Sequence, residues 1–464
     1  MTHYFRRKIY MEKFDAIVVG AGTAGCIAAK TIAESGLKVC LIEKSSREHV
    51  GEKICGDAIG EHHLTFLGLE KPTSGELEAK IDGMKIYSPD ENTVFTVADE
   101  DFKGYILNRP LFGKWLLKKA EEKGAQIQDN MNFRAPIIEK STVVGISAKN
   151  MKTGQISELR SKVVIDATGY FGMIRKQLPN AFGIDQKIDN EDVEACYREI
   201  RQLKNESEDT RYCEIYLSQT SSPGGYTWIF PKDGARVNVG IGALMRKTGY
   251  PNPKDQLYST AFKKPLFKDS TVITGGAWFD PVRRPLDNMV GNGIAIIGDA
   301  ASLVNPIHGG GIGPSMLSGH FAGKQIIDAL NKGEPTKEAL WGYNKTYMDT
   351  YGKKQGALDI FKIFLLSCSD DDLNYGMNQK LMTEDDLLKA SMGDDFHLNI
   401  TETAKRIFKG IRRVGFLNKL HLTVTMMREL RAHYDTYPTT PNGFEPWRDQ
   451  TVQLIAQARK KFIE

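Results

Sequence analysis

Short runs of apolar, β-branched residues recur along the chain, and several end in glycine and acid. The first, residues 14–19 (FDAIVV), is continuous rather than alternating, the pattern of a strand buried on both faces of a parallel sheet. It runs into Gly20-Ala-Gly22-Thr-Ala24-Gly25 and a helical stretch, CIAAKTIAES, closed by Gly36. Residues 37–42 predict a second strand, with Glu43 and Lys44 at its end. Residues 162–165 (KVVI) and 293–297 (GIAII) predict further buried strands, ending in Asp166-Ala167-Thr-Gly169 and Gly298-Asp299. Elsewhere the period changes to two. Residues 81–97 alternate around a turn at Pro89-Asp90, and residues 211–242 contain RYCEIYLS, YTWIF and RVNVGIGAL, as expected of an antiparallel sheet. From about Lys337 the pattern is helical, and residues 357–367 (ALDIFKIFLLS) read as an amphipathic helix with a broad apolar stripe.

Composition narrows this picture. A chain of 464 residues exceeds one compact core and predicts two or three domains. With 41% hydrophobic and 26% charged residues, disordered and collagen-like classes drop out. A formal charge of +4 is too weak over this length to suggest a nucleic-acid partner. No run reaches the ~18 apolar residues of a spanning helix. The N-terminal MTHYFRRKIYMEK, in which Met11 is an alternative start, lacks the apolar stretch of a signal peptide, so the expected location is cytoplasmic. Cys26, Cys40, Cys55, Cys196, Cys213 and Cys368 form no CxxC pair and have no histidines at zinc spacing. Reduced thiols and no metal site are expected.

The glycine run carries the first chemistry. Gly20 suits a tight turn, Gly22 lets the backbone approach a pyrophosphate, and Gly25 lets helix and strand pack closely. The helix N-terminus then offers free N–H groups to the phosphates, and Glu43, about twenty residues on, can accept from the ribose hydroxyls. Strand, turn, helix, strand and acid in this order predict a dinucleotide site, without separating FAD from NAD(P).

The later segments resemble the large FAD family typified by aromatic hydroxylases. That resemblance implies that Asp299 contacts the flavin ribityl chain. It places Pro306, Gly309, Gly310, Gly311 and Ile312 of NPIHGGGIG at the flavin edge and Arg109 of LNRPLFGKWLLKKA near the FAD. His308 either orients the flavin ring or is satisfied by backbone. Within the alternating region, Pro223-Gly-Gly-Tyr226-Thr-Trp228-Ile-Phe230-Pro231 fits PxxYxWxFP at every specified position. With Lys53-Ile-Cys55-Gly56-Asp57-Ala58, RRPL and DDDLNYGM, it resembles the geranylgeranyl reductase family, closest to its archaeal digeranylgeranylglycerophospholipid branch. The resemblance runs from about Phe14 to about Met377.

The implied fold is α/β (α+β overall). A Rossmann-like FAD-binding domain of the aromatic-hydroxylase type comprises segments 12–75, 106–185 and 285–335. A substrate domain with an antiparallel sheet is inserted as 76–105 and 186–284, and a helical region follows at 336–464. The implied activity is saturation of C=C bonds in prenyl chains of an ether-lipid precursor. A flavin-dependent aromatic hydroxylase or monooxygenase is the alternative, and a halogenase would favour a WxWxIP-type motif that is absent.

An isolated trisubstituted alkene has no carbonyl to polarise it, so protonation at the less substituted carbon with hydride trapping at the other is the reasonable route. Tyr226 and Trp228, two apart on a strand, share one face. They either line the prenyl channel and stabilise positive charge or serve as core aromatics. The resemblance brings the Cys55-Gly56-Asp57 loop to the flavin and makes Cys55 the candidate nearest the reaction, although a thiol of pKa ~8.5 is a poor acid for an alkene. Lys53 or Asp57 could shape the surroundings of that thiol. No second nucleotide fingerprint appears, which leaves NAD(P)H docking transiently or reduced ferredoxin as the electron donor. Residues 404–430, with Lys405, Arg406, Lys409, Arg412, Arg413, Lys419 and Arg428, read either as a peripheral membrane contact or as a solvated basic face.

Overall fold

The computed structural model describes residues 13–73, 75–99, 103–206, 210–245, 252–381, 383–385 and 413–463. Strand Lys13–Val19 lies between Val39–Ile42 and Ile156–Asp166, parallel to both. Ile294–Ile296 joins in parallel beyond Ile156–Asp166, and Gln126–Gln128 beyond Val39–Ile42. Ile17, Val18, Val164 and Ile165 are wholly buried, which explains why these strands read as unbroken apolar runs. Ile156–Asp166 serves twice. Its first half pairs antiparallel with Thr142–Asn150, which pairs with Met131–Glu139, while its second half lies in the parallel core.

A seven-stranded sheet stands over the C-terminal ends of these strands. Its order is Thr271–Pro281, Val193–Gln202, Arg236–Leu244, Tyr226–Pro231, Tyr212–Leu217, Gly83–Tyr87 and Val94–Ala98. One neighbouring pair departs from the expected antiparallel pattern. Tyr212–Leu217 runs parallel to Gly83–Tyr87, because the two arrive from distant segments rather than through a hairpin. A small third sheet, Ala58–Gly60, Gly104–Leu107 and Leu77–Ile81, carries the end of the Cys55 loop.

The helical region differs from its sequence pattern in one respect. Helix Lys353–Leu365 is buried on every side, and its polar residues Lys354, Gln355, Asp359 and Lys362 are all 7% exposed or less. These groups bind inward. The Gln355 amide donates to the carbonyls of Arg283, Ser302 and Val304, while Lys362 pairs with Asp192 at 3.0 Å and Asp359 at 2.7 Å. One helix thereby ties the segment after Gly298-Asp299 to the start of a substrate-sheet strand. Of the expected basic segment, residues 404–412 lie outside the described residues. Arg413 is paired with Asp372 at 2.8 Å, and Lys419 and Arg428 are exposed on helix Val414–Asp435.

Candidate active site

The nucleotide turn is built as its glycines require. Gly20 adopts φ +108°, and a Cβ there would stand 2.4 Å from the Ala167 carbonyl oxygen. Open space surrounds the position a Cβ would take on Gly22, which caps helix Thr23–Ala33 without any side-chain hydrogen bond. The free N–H groups of that helix suit an anionic ligand; Ala24 in its first turn is buried, and Gly169, two residues after Ala167, is half-buried. Glu43 accepts from Ala21 N at 2.8 Å and Ser45 N at 2.9 Å, which holds its carboxylate against the turn, while Lys44 is exposed.

Arg109 supplies a second sign of an anion site. It opens helix Arg109–Glu122, is 5% exposed, and its buried Nε and Nη1 have no hydrogen-bond partner. A buried, unpartnered cation at the positive end of a helix is doubly unfavourable unless an anion sits beside it. Its charge acts on Cys26, Lys53 and Cys55, so it lies between the nucleotide turn and the Cys55 loop. These residues fit the phosphates of a bound dinucleotide.

Asp299 is 6% exposed; its Oδ2 accepts from Lys53 Nζ at 2.6 Å and its Oδ1 from Ser315 Oγ at 3.3 Å. The sequence pointed to Asp299 alone, and the fold pairs it with Lys53. The following loop is folded by Asn305 Oδ1, which accepts from the N–H groups of Ile307 and His308. Pro306 and Ile312 are buried, and Gly309, Gly310 and Gly311 lead into helix Ile312–Lys332, which has no side-chain cap. His308 Nδ1 accepts from Gly310 N at 3.1 Å. Burial, then Lys354, pushes the His308 imidazole down to about 4, so it is neutral near pH 7.

Opposite this loop stands one face of the seven-stranded sheet. Tyr226, Trp228 and Phe230 line it in a row, with ring centroids 6.1 and 6.3 Å apart. Gly240 and Gly242 on the neighbouring strand make the room. A Cβ at Gly240 would stand 2.3 Å from the Trp228 ring, and one at Gly242 would stand 2.2 Å from a Glu194 carboxyl oxygen. The Tyr226 hydroxyl donates to the His308 carbonyl at 2.6 Å. Glycine loop, aromatic strand and Cys55 loop together enclose a cavity of about 420 Å³, with Ile54, Ile81, Met84 and Ile215 on its walls.

Asn238 connects these parts, and sequence reasoning missed it. Its Oδ1 accepts from Trp228 Nε1 at 2.9 Å, and its Nδ2 donates to Cys55 O and Asp57 Oδ2, each at 2.8 Å. Asp57, expected to contact the cofactor, anchors the loop through Asn238 and buried Lys232, at φ +67°. Glu78 completes that buried group by pairing with Lys232. A Cβ at Gly56 would stand 2.9 Å from the Phe230 ring, so the loop lies against the aromatic strand. Burial pushes the Cys55 thiol up, with Arg109 acting against it, and the thiol is therefore not an activated thiolate. Two acids that drew no attention in the sequence also reach the cavity, Glu194 and its cross-strand neighbour Asp280.

The geranylgeranyl reductase catalytic domain family matches residues 192–277, which hold this sheet face, and the glucose inhibited division protein A family matches residues 15–201. A digeranylgeranylglycerophospholipid reductase of Sulfolobus acidocaldarius is 39% identical over 97% of this chain and 98% of its own. Among solved structures, a geranylgeranyl bacteriochlorophyll reductase-like protein of Thermoplasma acidophilum aligns with TM-score 0.76 and 24% identity, covering 90% of this chain and all of that one. A flavin-dependent brominase aligns with TM-score 0.65 and 20% identity over 86% of this chain and 99% of its own, a likeness of fold alone. The chain belongs to the geranylgeranyl reductase family, on the branch of the archaeal digeranylgeranylglycerophospholipid reductases.

Proposed function

We propose that this protein binds FAD and saturates C=C bonds in the geranylgeranyl chains of an archaeal-type ether phospholipid precursor. The observation that carries the reading is the cavity itself. The aromatic row and the glycine loop face each other across a space with largely aliphatic walls. Reduced flavin supplies the hydride. The chain's own residues do the rest. Arg109 and the Thr23–Ala33 helix N-terminus hold the phosphates, and the Lys53–Asp299 pair meets the ribityl chain. Tyr226 and Trp228 exclude water and present π-faces to the positive charge that builds on the alkene. Cys55 positions the alkene beside the flavin as a neutral thiol.

An anaerobic experiment tests this. Dithionite-reduced protein is mixed with digeranylgeranylglyceryl phosphate while flavin reoxidation and product mass are followed. Reoxidation with mass gains of two hydrogens per step is expected. Flavin that stays reduced until oxygen enters would transfer support to the monooxygenase reading. Supplying NAD(P)H or a reduced ferredoxin under turnover identifies the donor. No helix among the described residues is long and apolar enough to cross a membrane, and the exposed Lys419 and Arg428 suit peripheral contact with an anionic surface. Sedimentation with anionic but not neutral vesicles checks that contact.

A further inference from the structure

We infer that Glu194 is the acid that delivers the proton to the alkene. This inference rests on the reductase reading above. Four observations lead to it. Glu194 lies on the ligand face of the seven-stranded sheet and lines the cavity, only 6% exposed. Its carboxyl makes no hydrogen bond or ion pair with any described residue. It lies against glycine backbone: Cβ atoms at Gly225 and Gly242 would stand 2.4 and 2.2 Å from its Oε1. Its other oxygen faces the glycine loop, since the point where Gly309 would carry a Cβ is 3.7 Å from both Glu194 Oε2 and the Tyr226 hydroxyl. An unpartnered buried acid aimed between the aromatic row and the glycine loop is costly as structure and useful as chemistry.

The charge around it keeps the proton in place. Burial, then the facing Asp280, pushes Glu194 up to about 8, while Lys362, itself paired with Asp192 and Asp359, acts against them. Cys196 on the same strand and Tyr226 two strands away are both pushed well above their ordinary values, so neither brings charge near pH 7. The other candidate donors are worse placed. The Tyr226 proton is held by His308 O and Lys53 is held by Asp299, while burial pushes Asp280 up only to about 7, with Lys53 acting against it, and its Oδ2 already accepts from Cys196 Sγ at 3.8 Å. The Cys55 thiol is pushed up by the same burial.

The alkene π pair takes the proton from the Glu194 O–H at the less substituted carbon, leaving a carboxylate. The more substituted carbon takes a hydride, with its electron pair, from the two-electron-reduced flavin. Both C–H bonds are then made, and the carboxylate regains its proton from water where the cavity reaches the surface at Phe66, 58% exposed. Because the acid is weak, proton and hydride must arrive in concert rather than through a long-lived cation.

Glu194→Gln keeps the shape and removes the acid. The experiment combines anaerobic reoxidation of reduced flavin by digeranylgeranylglyceryl phosphate with infrared spectroscopy of the resting oxidised protein. Expected in wild type is reoxidation whose rate falls above pH about 8, and a protonated-carboxyl carbonyl band that titrates at the same pH. Expected in Glu194→Gln is an unchanged bound-flavin spectrum, loss of that band, and reoxidation slower by about 100-fold or more with no break in its pH profile. Reoxidation within about threefold of wild type would overturn the assignment and leave the reductase reading standing. Wild-type protein that is not reoxidised at all would overturn the reductase reading, and the donor role with it. If the variant does not fold, the wild-type spectrum decides: absence of a carboxyl proton above pH about 6 overturns the proposal, because Glu194 would then be ionised like an ordinary glutamate.

Discussion

The hydroxyl of Tyr226 donates to the carbonyl oxygen of His308 at 2.6 Å, joining positions 82 residues apart in the chain. This bond fixes the distance between the aromatic strand and the glycine loop, and hence the width of the space in which an alkene would meet a flavin.

Tyr226→Phe removes the donor and leaves a buried carbonyl without it. The expected cost is roughly 1–3 kcal/mol, concentrated in the loop. Hydrogen exchange should show faster amides at Gly309, Gly310 and Gly311, with the nucleotide turn unchanged. Uniform protection across the loop would mean that Asn305 alone holds it.

Arg109→Gln removes a buried cation that has no protein partner for its Nε and Nη1. The FAD dissociation constant is expected to rise about 10- to 100-fold, or about 1.4–2.8 kcal/mol. The flavin-free variant should melt no lower than flavin-free wild type. A variant that binds FAD normally would place the anion elsewhere.

Cys55→Ser keeps the size of the loop residue and the Asn238 bond to its carbonyl. Flavin content should stay constant while prenyl-driven reoxidation falls by at least about tenfold. Because burial raises the thiol, thiolate-selective alkylation of wild type at pH 7 should be slow.

Lys362→Met removes the cation shared by Asp192 and Asp359 and leaves Asp192 its Arg459 pair at 2.9 Å, and a loss of about 3–5 kcal/mol is expected from thermal or denaturant unfolding. Burial raises Asp192, but Lys362, Arg283 and Arg459 outweigh it and hold the carboxyl below its ordinary range. Its stabilising contribution is therefore present above the unfolded value of about 3.9 and lost as pH falls below it. Lys362→Met should flatten that acid-side loss.

Glu194 has the opposite sign. Its folded value is raised to about 8, so between the unfolded value near 4.5 and pH 8 the folded state holds the extra proton and stability falls as pH rises. Glu194→Gln should remove this slope, and its stability relative to wild type should grow from pH 5 to pH 8 by an amount on the order of a few kcal/mol. Parallel stability curves for the two proteins would show that Glu194 is ionised at neutral pH in the folded protein.

Much of the nucleotide half was legible because its signals are local. Continuous burial of Ile17, Val18, Val164 and Ile165 leaves an apolar run in the sequence, and Gly20 and Gly22 stand where a turn and a close backbone approach require them. The aromatic motif was legible in the same way, since residues two apart on a strand must share a face. What surrounds those residues depends on pairings between distant segments. Asn238 meets Cys55 across 183 positions and Lys232 meets Asp57 across 175. Glu194 and Asp280 face the cavity together only because strands Val193–Gln202 and Thr271–Pro281 adopt one particular register. Helix Lys353–Leu365 reads as amphipathic and is buried on all sides, since its polar groups find partners on three other segments. The linear order of residues determined the nucleotide turn and the aromatic row. Strand register and helix docking, which depend on the summed burial of the whole chain, decided which buried acids and amides stand beside them.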